Sequence, residues 1–364
     1  MKKKRELTYA GAGVDSAMEE RGMMGLLKWV RKTYGFPGKR ARLMVEVGYF
    51  ASVMDIGGKM GLAMTTDGVG TKILVAQQMH KYDTVGIDCV AMNVNDLISV
   101  GARPIAMLDY LAVQKPAHRL LEEIGKGLYL GARQAGISIP GGEVAQLREM
   151  LKGKRRNYAF DLAGMGLGFV PLDRVIVGQD IEPGDVVVGL QSSGIHSNGL
   201  TLARRVFFDR MGYSVDTYLP ELKRSVGEEL LEPTRIYVPE VMEMLEADLR
   251  IKALLNITGD GFFNLIRVNA PVGYIIDYLP PPPSIFSLLK KLGKLSDEEM
   301  FKVFNMGVGF CVVCHKGDAD KVVQIAHHHK SEACILGHTV EDKERTVKLI
   351  PKRLIGKSGE FVKY

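Results

Sequence analysis

Residues 65–72, with the sequence TTDGVGTK, combine residue types that bind phosphate and metal ions. Asp67 ends a strand-like stretch and is followed directly by a Gly-x-Gly turn. Glycines let backbone N–H groups come close to phosphate oxygens, aspartate is a suitable Mg²⁺ ligand, and Lys72 adds a positive charge. The segment therefore predicts a site for a nucleotide phosphate and its metal ion. Taken alone, an ordinary glycine turn explains it equally well.

Further carboxylates follow at positions where they could complete such a metal site. Asn93 and Asp96 lie three residues apart on a predicted helix and therefore share one of its faces. Asp109 lies inside the apolar run AMLDYLAV, where a carboxylate needs a partner. Glu143 follows two glycines and a short predicted strand, and it could join Asp67 and Asp96. A helix-surface aspartate and a plain turn glutamate are the alternative interpretations.

Two glycine-containing loops each follow a predicted strand and precede a predicted helix. They are residues 192–199 (SSGIHSNG) and residues 256–261 (NITGDG). Glycines at a helix N-terminus form a ready anion site, and an imidazole such as His196 titrates near neutral pH and can move a proton. The alternative is a simple capped helix start, with Ser197 or Asn198 as the N-cap of the first helix.

Three other motifs match known patterns only superficially. Residues 311–315 (CVVCH) have the haem-attachment spacing, but they lie in an apolar strand-like stretch and predict core cysteines instead. The histidines at 327–329 would point in different directions on one helix, so we expect a solvated surface and not a metal site. Residues 356–358 (GKS) resemble the end of a P-loop, but residue 351 is proline where the first glycine should be.

The elements that must position these residues alternate between strand-like and helix-like stretches, which predicts an α/β fold. The helix at 87–100 has apolar residues with a 3.6-residue period, and the helix at 120–135 ends at Gly136, a predicted C-cap. The other predicted helices cover residues 200–211, 235–247 and 285–292, and another opens at 262–268. The predicted strands cover residues 59–66, 104–113, 160–170, 186–190, 252–257, 272–277, 308–313 and 333–336.

The composition is that of a globular protein with a sizeable core. Of 364 residues, 46% are hydrophobic and 25% charged, and the net charge of +6 suits a protein that handles anionic metabolites. No basic stripe interleaved with aromatic residues indicates nucleic-acid binding. No apolar run reaches the roughly 18 residues of a membrane span, and no secretory segment follows the basic N-terminus. Four cysteines do not make a disulfide framework, so we expect a cytoplasmic protein.

The pattern changes to a connector at residues 171–183, which predicts a domain boundary near Pro171. We expect an N-terminal domain at residues 1–170 and a C-terminal α/β domain at residues 171–345. From Glu341 onward the charge is high, and we expect a basic, peripheral tail at residues 346–364.

Taken in order, these segments resemble the phosphoribosylformylglycinamidine cyclo-ligase family, also called aminoimidazole ribonucleotide synthetase. They extend in consistent order from residue 12 to residue 310. The matching segments are AGVD at 12–15, TTDGVGTK at 65–72, GIDCVAMNVNDLISVGARP at 86–104, LDY at 108–110, GGE at 141–143, SSGIHSNG at 192–199, EPTRIYV at 232–238 and FNMGVGF at 304–310.

The resemblance implies a two-domain, mixed α/β fold with ATP and Mg²⁺ as cofactors. The N-terminal domain would bind ATP and pair its sheet with that of a second copy in a homodimer, with ATP and substrate in the cleft between domains. The implied reaction is the ATP-dependent closure of formylglycinamidine ribonucleotide to aminoimidazole ribonucleotide in purine biosynthesis. The implied partner is therefore a small phosphorylated ribonucleotide, with no nucleic acid and no membrane.

The resemblance also implies roles for individual residues. The metal ligands would be Asp67, Asp96 and Glu143. The ATP contacts would be Gly68, Gly70, Thr71, Lys72, Asn93, Thr258 and Gly259, with Lys28 on a basic N-terminal helix as a weaker candidate. The residues that handle substrate polar groups or proton traffic would be His196, Ser197, Asn198 and Glu143. The glycine-containing loop at 11–15 would act as a lid.

The chain departs from the family pattern at several positions. Asn256 stands where the family usually has His, Asp260 where it has Gly, and Gly11 where it has Asp. The family's GGETAEMPGMY stretch is GGEVAQLREML here, at residues 141–151. Asp260 would repel a phosphate in its loop unless Mg²⁺ sits beside it.

These departures keep two alternatives open. One is a sister enzyme of the same fold that acts on another small phosphorylated or amide substrate, and the other is a catalytically inactive nucleotide-binding regulator. A selenophosphate synthetase should carry a reactive Cys in the 11–15 loop, and a thiamine monophosphate kinase should have paired aspartates in place of the lone Asp67.

Overall fold

The computed structural model describes residues 16–38, 41–268 and 270–364. Six strands form an N-terminal sheet in the order β1-β2-β3-β6-β4-β5, in which β4 and β5 are parallel and the other described neighbours antiparallel. These strands are β1 (Arg42–Val45), β2 (Ser52–Asp55), β3 (Met60–Gly68), β4 (Arg103–Val113), β5 (Ser138–Gln146) and β6 (Phe160–Pro171). The helices of this part are α1 (Ser16–Val30), α2 (Lys72–Met79), α3 (Val85–Ile98) and α4 (His118–Ala135).

Within the described residues, α3 packs on one face of the N-terminal sheet, and the other face has exposed apolar side chains. Along β6, buried and more exposed residues alternate, because successive side chains of a strand point to opposite faces. The buried face packs on α3, and it carries Gly164, where an added Cβ would lie 2.8 Å from the Asn93 amide nitrogen. Glycine at this position therefore permits the close approach of α3 to the central strand.

A second, C-terminal sheet has eight strands in the order β10-β12-β7-β13-β11-β14-β15-β16. They are β7 (Val186–Gln191), β10 (Ile251–Asn256), β11 (Val272–Ile276), β12 (Val308–Cys314), β13 (Ala333–Glu341), β14 (Val347–Leu349), β15 (Leu354–Lys357) and β16 (Glu360–Lys363). A small ribbon pairs β8 (Tyr218–Leu219) with β9 (Arg224–Ser225). The remaining helices are α5 (Leu200–Arg204), α6 (Val226–Leu230), α7 (Val238–Glu246), α8 (Ser284–Gly293), α9 (Asp297–Val303) and α10 (Ala319–His328).

The mixed α/β class and the two-sheet architecture are confirmed, and the N-terminal sheet ends at Pro171 before the C-terminal one begins at Val186. Gly136 is the left-handed C-cap of α4, as predicted. Cys311 and Cys314 are buried in β12, as expected of core residues. Among the described residues, no helix is long and apolar enough to cross a membrane.

Three predicted elements differ in the structure. The helix expected at 200–211 is α5 followed by a π-helical turn at Arg205–Arg210, and the one expected at 262–268 is a 3₁₀ helix at Gly261–Arg267. The tail is not peripheral, because β14, β15 and β16 extend the C-terminal sheet and bury apolar side chains. Their short apolar runs lie between charged residues, which hid the strands in the sequence. The buried side chains are Val347, Leu349, Leu354 and Phe361.

Candidate active site

Asp67 lies near the end of β3, in a row of paired residues that crosses the N-terminal sheet on the face toward α3. The Asp67 carboxylate accepts a 2.7 Å hydrogen bond from the Gly68 amide, and burial raises its pKa because the charged form loses hydration. Asn93 of α3 exchanges hydrogen bonds with the Asp67 backbone N–H and C=O. The buried Asn93 therefore holds the strand end in place. Its side-chain amide bonds to the Asp67 backbone and not, as predicted, to a nucleotide. The row consists of Asp67, Gly164, Asp109 and Gly142.

Asp96 faces the same region from α3, and the C-terminal part of the chain reaches it there. Its Oδ1 accepts a 2.9 Å hydrogen bond from Asn256 Nδ2 at the end of β10. The pKa of Asp96 is raised to about 7, mainly because the carboxylate is buried. The charge of Asp67 adds to this rise, and the hydrogen bond from Asn256 and the Arg267 guanidinium reduce it. Two partly buried carboxylates that repel each other fit a divalent cation with oxygen ligands, such as Mg²⁺. The donor set therefore suits the predicted ion.

Because of this raised pKa, we expect Asp96→Asn to stabilise the metal-free protein at about pH 8 but not at about pH 4. A carboxyl whose pKa rises on folding to about 7 favours folding while it is protonated, and this contribution is lost as the pH rises from the unfolded value of 3.8 through the folded one. Asparagine stays neutral and can still accept from Asn256. Urea unfolding at both pH values measures the difference, and a variant less stable than wild type at the higher pH would contradict it.

Glu143 does not lie beside the other two predicted ligands. It is an exposed residue inside β5, which continues through the predicted turn to Gln146. It pairs with Tyr110 in a row that crosses to Gly68, three strand spacings or about 14 Å away, and its side chain points to the face opposite that of Asp67. Among the described residues, the three carboxylates do not form a set of ligand atoms within 4.8 Å of one another. One chain therefore brings together only two of the three.

Lys72 begins α2, but its ammonium group points into the protein. It is fully buried, and it donates a 2.8 Å hydrogen bond to Asp88 of α3 and another to the Glu232 carbonyl. Asp88 Oδ1 also accepts from the Ser197 hydroxyl and from the amide and hydroxyl of Thr234. This placement corrects the prediction that Lys72 approaches a phosphate. The lysine and aspartate form a buried ion pair that ties α2 and α3 to two loops of the C-terminal part.

His196 is buried as well, with only 4% of its surface exposed, and has a left-handed backbone conformation with φ 63°. Its Nε2 accepts a 3.2 Å hydrogen bond from the Ser193 amide, a role that requires an unprotonated nitrogen. Burial and, to a smaller extent, the positive charges of Lys72 and Arg235 together lower the pKa of His196 to about 3. The ring therefore stays neutral near pH 7 and shapes its loop, so the geometry argues against the predicted role in proton traffic.

The remaining predicted contacts lie where the loops of the two parts meet. Residues 68–71 form the turn that follows Asp67, which we call the Asp67 turn. Thr71 Oγ1 in this turn is 3.0 Å from Thr201 Oγ1, and this contact joins the turn to the start of α5. A Cβ added at Gly259 would come within 3.3 Å of Asn198 Oδ1, so the loops at 192–199 and 256–261 are in close contact. The Thr258 hydroxyl lies 3.4 Å from Asn264 Oδ1 within its own loop. The structure thus gathers these loops next to the Asp67 turn, where Gly70 is exposed.

Two other predicted features lie at the N-terminus. Lys28 is exposed in the last turn of α1. The glycine-containing loop at 11–15, predicted to act as a lid, lies outside the described residues.

Comparison with known proteins identifies the family. The N-terminal domain of AIR synthase related proteins matches residues 48–170, and the C-terminal domain of the same proteins matches residues 182–350. A phosphoribosylformylglycinamidine cyclo-ligase of Methanothermobacter thermautotrophicus is 48% identical over 319 residues, which cover 88% of this chain and 91% of that protein. The chain belongs to the phosphoribosylformylglycinamidine cyclo-ligase family. A relative of the same name from Methanocaldococcus jannaschii is 45% identical over 98% of this chain and 97% of its own length.

A solved structure of much lower identity has the same fold. Described as AaThiL complexed with AMPPCP and TMP, it superimposes with a TM-score of 0.60 over 89% of this chain and 92% of its own, at 15% identity. At that identity the similarity shows the fold alone.

Two of the residues that depart from the cyclo-ligase family pattern, Asn256 and Asp260, each have a polar partner in the structure. Asn256 keeps a direct hydrogen bond to Asp96. Asp260 forms a 2.8 Å ion pair with Arg267, which lies over the ring of Phe50. The carboxylate expected to repel a phosphate is thus paired with a cation at the edge of its loop, where it is exposed to solvent.

Asp88 and Asn95 connect the two parts of this cyclo-ligase chain, although neither is predicted as a functional residue from the sequence. Asn95 is fully buried on α3, donates to the Arg235 carbonyl and accepts from the Tyr237 amide. The available signal was their position on the apolar stripe of a helix. A buried polar side chain there requires partners, and these lie far away in the sequence.

His196→Ala tests whether this histidine shapes its loop or moves a proton in the cyclo-ligase reaction. The change leaves the Ser193 amide without its acceptor and places alanine in a left-handed conformation. We expect a loss of roughly 1–3 kcal/mol in the free energy of unfolding, with ATP affinity nearly unchanged. Urea unfolding beside His118→Ala, which removes an exposed imidazole, provides the comparison. A variant with wild-type stability and a large loss of kcat would instead restore the catalytic role.

Proposed function

We propose that this chain is a cyclo-ligase that converts formylglycinamidine ribonucleotide and ATP into aminoimidazole ribonucleotide, ADP and phosphate. The observation that carries the proposal is the identity of 48% with a curated relative of that name over 88% of the chain. The paired carboxylates of Asp67 and Asp96, next to a glycine turn, supply the chemistry that this reaction needs. The neighbour described as complexed with AMPPCP has the same fold, which agrees with nucleotide binding by this chain.

The reaction divides into two steps that the site can assist. An amide oxygen is a poor leaving group, so the γ-phosphoryl group of ATP is transferred to it and an iminophosphate forms. The amidine nitrogen of the same molecule then attacks that carbon, and phosphate leaves with the former amide oxygen. The second step is intramolecular, so a fixed substrate conformation provides much of the rate. Phosphoryl transfer depends mainly on alignment and charge neutralisation.

We assign Asp67 and Asp96 to holding Mg²⁺, which when bound neutralises charge on the phosphates. Asn93 holds the backbone of Asp67 in place, and Asn256 donates directly to the Asp96 carboxylate. The phosphates would lie against the Asp67 turn, at Gly68, Gly70 and Thr71. Asn198, Thr258 and Gly259, on the loops that meet this turn, would contact the substrate or the nucleotide.

We further propose that the exposed face of the N-terminal sheet forms a homodimer. Four apolar side chains on this face are each 39 to 46% exposed, and exposed apolar groups on one surface are typical of an interface with another protein. Glu143 lies on the same face of the edge strand β5, so a second copy would cover it. In this proposal Glu143 contributes to the nucleotide site only in the dimer. The apolar residues are Leu108, Tyr110, Met165 and Phe169.

Met165→Arg should convert the dimer into a monomer, because it places a charge at the centre of the proposed interface. Light scattering after size-exclusion chromatography measures the mass directly. The control is Met150→Arg, which makes the same change at a residue that is 76% exposed and lies outside this surface. A wild-type monomer, or a variant that remains dimeric, would contradict the proposed interface. Loss of ATP turnover in a folded monomeric variant would agree with the role of Glu143.

The direct test of the reaction is incubation of the purified chain with formylglycinamidine ribonucleotide and Mg-ATP. Mass spectrometry identifies the product, and ADP release is measured in parallel. We expect aminoimidazole ribonucleotide and ADP in equal amounts. Nucleotide binding without turnover would support an inactive regulator instead. We place the protein in the cytoplasm, because its four cysteines are all free thiols.

A further inference from the structure

Two histidines and a glutamate converge on the surface of the C-terminal part, away from the carboxylates described above. Glu243 lies on α7, and His328 and His329 lie at the end of α10. One oxygen of Glu243 is 2.6 Å from His329 Nε2 and 3.3 Å from His328 Nδ1. Among the described residues, this is the group of three or more His, Cys, Asp or Glu side chains whose ligand atoms all lie within 4.8 Å of one another. We call these three residues the α7–α10 cluster.

This convergence corrects the expectation that neighbouring histidines diverge. That expectation assumed one continuous helix, but α10 ends at His328 and the chain turns at Lys330, which has φ 57°. His329 therefore leaves the helical spacing, and its ring comes to the same side as that of His328. His327 does point elsewhere, since its Nε2 accepts from the Ala333 amide at 3.3 Å.

We propose that the α7–α10 cluster binds a divalent transition-metal ion of the Zn²⁺ type. Imidazole nitrogens favour Zn²⁺, Ni²⁺ and Co²⁺ over Mg²⁺, and two histidines with one carboxylate leave room for water as a further ligand. Ligand atoms around tetrahedral Zn²⁺ lie roughly 3.3 Å apart, since each bond is about 2.0–2.1 Å. The separation of 3.3 Å between Glu243 and His328 matches this value, whereas the separation of 2.6 Å between Glu243 and His329 is shorter. The Glu243 carboxylate, which lies at the surface, would therefore move away from His329 when the ion binds.

The surroundings hold one of the three ligands, His329, in place. Arg235 donates a hydrogen bond of 3.3 Å to the His329 carbonyl, so the backbone of this ligand is tied to the segment that also contacts Asn95. Glu240, which is nearly fully buried, lies one helical turn before Glu243 on α7 and is 3.5 Å from Arg235. Glu240 is thus placed to offset the Arg235 guanidinium, which would oppose a bound cation.

Metal binding here would join the end of α10 to α7 at the rim of an open cavity of about 490 Å³. His329, Arg235 and Glu240 line this cavity together with the segment at 232–236, which reaches the buried Lys72–Asp88 pair. The ion would therefore act as a structural link in the C-terminal part. This inference does not depend on the proposed cyclo-ligase reaction.

The test is a titration of the full chain with ZnSO₄, in which isothermal titration calorimetry measures the binding. It is carried out without nucleotide, with excess Mg²⁺ to occupy the oxygen-ligand site, and in a Cys334→Ser background because that thiol is only half-buried. The informative variant is His329→Asn, and the matched control is His327→Asn on the neighbouring residue. Visible absorption with CoCl₂ reports the coordination geometry in the same samples.

We expect one Zn²⁺ per chain in the parent and in His327→Asn, and at least a roughly tenfold weaker affinity in His329→Asn. Zn²⁺ should raise the melting temperature of the first two proteins and not that of the third, since only a folded site binds the ion. Cobalt should give the intense visible bands of a tetrahedral site. Absence of Zn²⁺ binding, or equal loss of affinity in both histidine variants, would overturn the proposal and leave a hydrogen-bonded His–Glu–His group.

Discussion

Asp67→Asn is expected to abolish ATP-dependent ring closure while the protein remains folded. The carboxylate is partly buried at the end of β3, its backbone is fixed by Asn93, and its charge adds to that of Asp96. Asparagine keeps the shape and can still accept from the Gly68 amide, but it removes the negative charge that would hold Mg²⁺. Loss of one such electrostatic contact typically costs about 10²–10³-fold in kcat. Loss of a metal ligand should equal or exceed this range.

A matched control separates this effect from a general change of the sheet. Asp109 lies in the same row as Asp67 on the same face, one strand beyond Gly164, and its pKa is likewise raised by burial. Asp109→Asn makes the identical chemical change there, and we expect far more of the activity to survive. Steady-state ADP release with saturating Mg-ATP measures both variants, and circular dichroism checks that they are folded. Near-normal turnover in Asp67→Asn would remove this residue from the metal site.

Local patterns were enough to predict the main elements and the residues at their ends. The apolar period of α3, the C-cap at Gly136 and the long apolar strands β4 and β6 depend on neighbours in sequence, and the structure has them close to the predicted positions. Asp67 and Asp96 could be selected for a similar reason. Each stands at the end of an element, or on a helix face, where a carboxylate is unusual.

The contacts that could not be predicted all join residues far apart in the sequence. Lys72 follows a Gly-x-Gly turn, which is a good position for a phosphate ligand. Its distant partners Asp88 and Glu232 explain why its ammonium group points inward. Glu143 was misplaced because the strand register, and not local sequence, decides which face a side chain occupies. In both cases the local sequence suggested a plausible role for the side chain, but contacts with distant parts of the chain decide where that side chain lies.

The second large effect concerns the stability of the chain. Lys72→Met should lower the free energy of unfolding by roughly 3–5 kcal/mol, because it leaves the fully buried Asp88 carboxylate without its counter-charge. Hydrogen bonds from Ser197 and Thr234 remain, but neutral donors compensate only part of the lost charge. Methionine has nearly the length of the aliphatic part of lysine, so loss of packing contributes little. Urea unfolding of the full chain, monitored by the far-UV signal, measures the change.

The double variant Lys72→Met/Asp88→Leu distinguishes an ion pair from a phosphate ligand. If Lys72 serves the Asp88 carboxylate, removal of both charges should recover much of the lost stability, since apolar residues of similar size can replace a buried pair at little cost. The double-mutant cycle then gives a coupling energy well above the error of the method. Single and double variants should also keep wild-type affinity for ATP where they are folded. A stable Lys72→Met protein with a large loss of ATP affinity would instead show that this ammonium turns outward to meet the nucleotide.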